Sequence, residues 1–175
     1  MKNFFPIIHI IGLPGAGKTT LAKKLSHRLN LPILRIGEYR SKFPLSPIGE
    51  ADGWVALFRE LSKRRWRNCI LETSGLNRRE CFIRIALPFA QMITIKLEAP
   101  PKILYDRIGK KKKREWGGEW LFSVDYPDKY EFVRKLYKEF KKLPSDIKID
   151  TIRLKPEEVF KIAVKKLEMH KIFCS

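Results

Sequence analysis

The chain alternates between two hydrophobic rhythms, short continuous apolar runs and longer stretches with apolar residues three or four apart. Phe4 to Ile11 is an apolar run interrupted only by Pro6 and His9, the pattern of a strand covered on both faces of a parallel sheet. From Thr19 onward Leu21, Leu25 and Leu29 recur every fourth residue, with Lys23, Lys24 and Arg28 on other faces, which predicts an amphipathic helix. Further strands are predicted at Ile33 to Ile36, Asn68 to Thr73, Met92 to Leu97 and Ile147 to Ile149. Helices are predicted around Trp54, Leu57, Phe58 and Leu61, around Cys81, Ile83 and Leu87, and after Pro100-Pro101 through Ile103, Leu104 and Ile108. Tyr130, Val133, Leu136 and Phe140 mark another. Pro156, Glu157 and Glu158 begin a terminal helix whose buried face is Val159, Phe160, Ala163, Val164 and Leu167. Phe43 to Gly49, with Pro44 and Pro47, reads as a loop or broken helix. Strands alternating with helices predict an α/β sandwich with a largely parallel sheet. At 175 residues the chain fits one domain, residues 1–175.

Composition changes this picture mainly through charge. There are 37 Lys+Arg against 19 Asp+Glu, a formal +18 at pH 7, which attracts polyanions through long-range fields and counterion release. That charge does not distinguish a nucleotide, a phosphorylated metabolite and an RNA strand. No stretch approaches the roughly 18 consecutive apolar residues of a membrane span, and the first apolar run ends too early for an export signal. Cys69, Cys81 and Cys174 show neither metal spacing nor a disulfide framework, so a reducing, cytoplasmic setting is expected.

The strongest chemical signal lies between the first strand and the first helix. Gly12-Leu13-Pro14-Gly15-Ala16-Gly17-Lys18-Thr19 matches G-x-x-x-x-G-K-[ST], the phosphate-binding P-loop. Gly12, Gly15 and Gly17 remove side chains that would block backbone N–H groups from a phosphate. The helix start through Ala16 and Thr20 adds further donors and positive potential. Lys18 reaches the β and γ phosphates and the Thr19 hydroxyl ligates Mg²⁺, so ATP or GTP is the expected ligand. A dinucleotide fold is disfavoured, because G-x-G-x-x-G does not occur. A GTPase is disfavoured because there is no N-K-x-D segment.

Other polar clusters fall at strand ends, where open α/β sheets bind ligands. Ile36-Gly37-Glu38-Tyr39-Arg40 closes the second strand; Glu38 there can orient or deprotonate an acceptor, and Arg40 can hold an anionic one. Cys69-Ile70-Leu71-Glu72 has the form of a Walker B strand, with Glu72 acting on Mg²⁺ through water or as a base. Arg78 and Arg79 follow on the same edge and offer planar donors to a phosphate or acceptor anion. Arg107 and Arg114 lie two helical turns apart on one face around Lys110 to Lys113, suited to closing over a transferring phosphoryl group, with Gly117-Gly118 beside them.

Taken together, Gly12–Thr19, Glu38-Tyr39-Arg40, Glu72–Arg79, Arg107–Arg114 and Ile149-Asp150-Thr151 resemble the small P-loop kinases, among them the nucleotide, adenylylsulfate, gluconate, shikimate and polynucleotide kinases. The corner at Ile36–Arg40 is similar to that of 6-phosphofructo-2-kinases, and Phe122 to Glu131 loosely resembles adenylylsulfate kinase. The resemblance implies a three-layer P-loop NTPase fold with a five-stranded parallel sheet of order 2-3-1-4-5. It also implies an acceptor region at about 37–67 and a lid at about 107–125. Glu38 and Glu72 stand where many relatives carry aspartate, so either can be the base.

The expected function is ATP- and Mg²⁺-dependent transfer of the γ-phosphoryl group to a small metabolite, nucleoside or nucleotide, by a monomer or homodimer. Nothing resembles the H-R-D and D-F-G segments of protein kinases. The +18 charge supports two alternatives, a polynucleotide 5′-hydroxyl kinase and a non-catalytic, ATP-gated RNA-binding or assembly factor.

Overall fold

The computed structural model describes residues 5–44, 46–77, 92–109 and 128–170. Its elements follow the predicted alternation: β1 (Ile7–Gly12), α1 (Lys18–Leu29), β2 (Ile33–Arg35), α2 (Ile36–Arg40), α3 (Pro47–Lys63), β3 (Cys69–Thr73), β4 (Met92–Glu98), α4 (Pro101–Gly109), α5 (Lys129–Lys141), β5 (Ile147–Asp150) and α6 (Pro156–Met169). The strands form a parallel five-stranded sheet of order β2-β3-β1-β4-β5. That is the expected order.

Every residue of β1 is buried, His9 included, as its near-continuous apolar run predicts. Along β3, Ile70 joins the large core formed with Leu21 and Leu25 of α1, Leu104 of α4, Val133 of α5 and Ala163 of α6. Its neighbours Cys69 and Leu71 turn instead to a second cluster with Trp54, Leu57 and Leu61 of α3. Alternate residues of a strand point to opposite faces, so helices cover both sides of the sheet and three layers result.

Two boundaries differ from the expectation. Helix α3 begins at Pro47 rather than after a loop to Gly49, because the Ser46 side chain accepts from the Gly49 N–H at 3.0 Å and Pro47 suits the first helical position. Strand β2 stops at Arg35, and Ile36–Arg40 is a short helix rather than the strand's closing corner. Among the later helices, Asp128 caps α5 by accepting from Tyr130 and Glu131 N–H. Among the described residues no helix is long and apolar enough to cross a membrane. The expected helix at Cys81–Leu87 lies outside them.

Candidate active site

The strand–loop–helix junction is built as the glycine spacing requires. Gly15 and Gly17 have φ of 83° and 94°, a region glycine enters without Cβ strain. A Cβ at Gly15 would also stand 2.8 Å from the Leu104 carbonyl oxygen, so α4 packs against the loop backbone itself. Ala16 N–H donates to Leu13 O at 3.1 Å and tightens the turn. Gly17 is the N-cap of α1 and supplies no side-chain acceptor, which leaves the first N–H groups of the helix to an incoming anion. The Lys18 ammonium bends back over the loop to the Leu13 carbonyl at 3.3 Å. Thr20 is exposed beside it.

Thr19 and Glu72 come together from elements 53 residues apart. The Thr19 hydroxyl donates to Glu72 Oε1 at 2.7 Å. Parallel pairing sets Arg35 of β2 beside Glu72 of β3. Arg35 Nε donates to Glu72 Oε2 at 3.0 Å, Nη2 to Thr19 Oγ1 at 3.3 Å, and Nη1 to Glu38 Oε1 at 2.8 Å. Glu38 is 56% exposed by side chain and, among the described residues, is joined to the site through Arg35. Because β2 ends one residue before the predicted corner, Arg35 holds the strand-end position assigned to Glu38. The signal for Arg35 was available: it is the polar residue at the carboxyl end of a predicted strand, where the sheet binds ligands.

The donors at Thr19 and Glu72 fit Mg²⁺, which takes hard oxygen ligands and usually completes its shell with phosphate and water. Among the described residues no group of three or more His, Cys, Asp or Glu could hold a metal by itself. The pair therefore suits a metal that arrives with phosphate rather than a closed protein cage.

Arg40 faces a different partner from the one expected. Its Nη2 donates to Glu50 Oε1 at 2.5 Å, and its guanidinium lies 5.7 Å from the Trp54 ring centroid. Glu50 is only 7% exposed, and the same oxygen accepts from Trp54 Nε1 and Asn77 Nδ2, each at 2.9 Å. Arg40, assigned above to an anionic acceptor, is held here by an internal carboxylate. Glu50 escaped the sequence reading, although it lies in register with Trp54, Leu57 and Leu61 on the buried stripe of α3. A carboxylate on such a stripe signals a buried ion pair.

Arg107 is anchored at the far end of the sheet. Its Nη1 donates to Thr151 Oγ1 at 3.0 Å, and Nη2 to the Thr151 carbonyl at 2.5 Å and the Ile152 carbonyl at 3.3 Å. In this arrangement it ties α4 to the segment after β5, and its Cβ lies 3.5 Å from where a Cβ on Gly15 would be. Arg107 therefore braces the helix that packs against the phosphate loop. Arg78, Arg79, Lys110 to Lys113, Arg114 and Gly117-Gly118 lie outside the described residues.

No protein-family model matches the chain, and no curated protein sequence matches it. Solved structures do. A gluconokinase from Sinorhizobium meliloti 1021 superposes with a TM-score of 0.67 at 14% identity, over 97% of this chain and 95% of that one. A shikimate kinase from Acinetobacter baumannii in complex with shikimate gives 0.65 at 20% identity, over 95% and 93%. A thymidylate kinase from Candida albicans gives 0.63 at 19% identity, over 97% and 93%. At these identities the likeness establishes the fold, which is that of the small P-loop kinases, as the motifs implied.

Proposed function

We propose that this chain is an ATP-dependent phosphotransferase that moves the γ-phosphoryl group to a hydroxyl or phosphate of a small metabolite, nucleoside or nucleotide. The observation that carries the proposal is the Thr19–Glu72 hydrogen bond, which puts a P-loop hydroxyl and a strand-end carboxylate together at the start of α1. The full-length likeness to kinases of gluconate, shikimate and thymidylate supports it.

In this reading the Gly15–Thr20 backbone and Lys18 hold the donor phosphates. Thr19 and Glu72 would hold Mg²⁺, which neutralises charge between the phosphates when bound. Glu72 is oriented at both oxygens, one by Thr19 and one by Arg35. Glu38, at the outer rim, is the remaining candidate base for the acceptor. The acceptor lies beside α2 and α3, with Arg78 and Arg79 as its proposed anion contacts. We place the enzyme in the cytoplasm, where its buried thiol Cys69 stays reduced.

The test is a panel measuring ATP consumption with gluconate, shikimate, nucleosides, nucleoside monophosphates and an RNA 5′-hydroxyl end, alongside calorimetric binding of a nonhydrolysable ATP analogue. Turnover with one small acceptor is expected. Analogue binding without turnover on any acceptor would move the reading to a nucleotide-gated binding protein. Turnover on the RNA end alone would favour the polynucleotide kinase that the +18 charge also suits.

A further inference from the structure

Resting on that reading, we infer that Arg35 competes with the metal ion for Thr19 and Glu72, so that the divalent cation enters only with the nucleotide's phosphates. Arg35 already holds both members of the pair. Glu72 Oε1 accepts from Thr19 and Oε2 from Arg35 Nε, while the Thr19 hydroxyl gives its one hydrogen to Glu72 and accepts from Arg35 Nη2. A metal bound directly through Thr19 Oγ1 at roughly 2.1 Å would sit beside a guanidinium nitrogen that is itself 3.3 Å from that oxygen. Two cations that close to one oxygen repel strongly, which drives the guanidinium to withdraw.

The structure also provides where it goes. Arg35 keeps a third contact, Nη1 to Glu38 Oε1 at 2.8 Å, and Glu38 stands at the solvent rim. A rotation of the guanidinium toward Glu38 gives up Thr19 and Glu72 while leaving the arginine paired. A free hydrated dication gains too little from one carboxylate and one hydroxyl to force that rotation, because Mg²⁺ dehydrates reluctantly. A metal carried on the β and γ phosphates brings its own anionic ligands and needs from the protein only the oxygens that Arg35 vacates. Arg35 is thus a positioning residue that couples metal entry to nucleotide entry. A merely structural ion pair between β2 and β3 would have no such effect on metal affinity.

The experiment titrates Mn²⁺ into the nucleotide-free full chain and follows the free-ion signal by electron paramagnetic resonance. Wild type, Arg35→Met and Arg35→Lys are compared, with folding checked by circular dichroism. Arg35→Met is expected to bind Mn²⁺ at least about tenfold more tightly than wild type, as removal of one adjacent positive charge should allow. Arg35→Lys, which keeps the charge, should bind as weakly as wild type. Adding Glu72→Gln to Arg35→Met should abolish the gain and so locate it at this pair. Equal Mn²⁺ affinity in wild type and Arg35→Met overturns the inference, as does a gain that survives Glu72→Gln. Binding of the ATP analogue by wild type is measured in parallel: its loss would sink the kinase reading, while the Mn²⁺ comparison still decides the role of Arg35.

Discussion

The hydroxyl of Thr19, at the second position of α1, donates to the Glu72 carboxylate near the end of β3 at 2.7 Å, joining the helix start of the phosphate loop to the sheet. If that pair holds the metal, Thr19→Ser keeps the ligating oxygen and most of the activity. Thr19→Ala should cost about a hundredfold in kcat/KM, roughly 2.7 kcal/mol of transition-state stabilisation. Steady-state kinetics across a Mg²⁺ series checks this. Full activity in Thr19→Ala would remove the metal assignment.

Lys18 donates its ammonium to the Leu13 carbonyl of the phosphate loop itself. Lys18→Ala should therefore leave the unfolding temperature within a few degrees of wild type, while phosphoryl transfer falls by roughly 10²–10³-fold. Thermal denaturation and turnover measured on the same preparation separate the two effects. A large loss of stability would show that the lysine is structural.

Arg107 binds the Thr151 and Ile152 carbonyls and braces α4, whose Leu104 carbonyl abuts Gly15. Arg107→Ala should loosen the nucleotide side first, weakening binding of an ATP analogue by about tenfold, or ~1.4 kcal/mol. Calorimetric titration gives that value. A fall in kcat with unchanged nucleotide affinity would instead put the arginine on the transferring phosphoryl group.

Arg40, half-buried, pairs with the buried Glu50, so removing the arginine strands that carboxylate. Arg40→Met should lower stability by about 3 kcal/mol. Arg40→Met combined with Glu50→Gln should recover part of the loss, since Gln keeps an acceptor for the Trp54 and Asn77 donors now on Glu50. Urea unfolding of the two variants is the comparison. A double variant less stable than the single one would show that the charge on Glu50 serves partners other than Arg40.

A pH effect follows from Glu98 at the end of β4. Burial alone would push its carboxyl up, but the ammonium groups of Lys148 at 2.7 Å and Lys96 at 3.0 Å outweigh it and hold it below the ordinary carboxylate value. Lys96 is 3% exposed and also donates to the Lys141 and Leu143 carbonyls, both at 3.0 Å, closing the end of α5. A carboxyl depressed on folding stabilises fully above its unfolded pKa, and that stabilisation disappears as pH falls through the folded one. Glu98→Gln should thus cost about 2 kcal/mol at pH 7 and progressively less under acid conditions. Unfolding free energies measured from pH 7 down to pH 3 test this, and a pH-independent penalty would contradict it.

Local pattern was enough for the sheet, the glycine loop and most helices. A run such as Ile7–Ile11, apolar except for His9, is buried between two layers, and Gly12–Thr19 is recognised by its spacing alone. The same local logic singled out Thr19 and Glu72, two residues at element ends that the structure brings within a hydrogen bond. What it did not settle was which charges meet. Arg35 became the bridge between Thr19, Glu72 and Glu38 because β2 stops one residue short of the apolar run and pairs in a register that sets Arg35 beside Glu72. Arg40 turned to Glu50 because α3 starts early enough to carry that carboxylate into the core. Arg107 found carbonyls 44 residues away, on the segment after β5. A side chain's charge is legible in sequence, but its partner depends on strand register, helix start and rotamer, and those are decided only when distant elements pack.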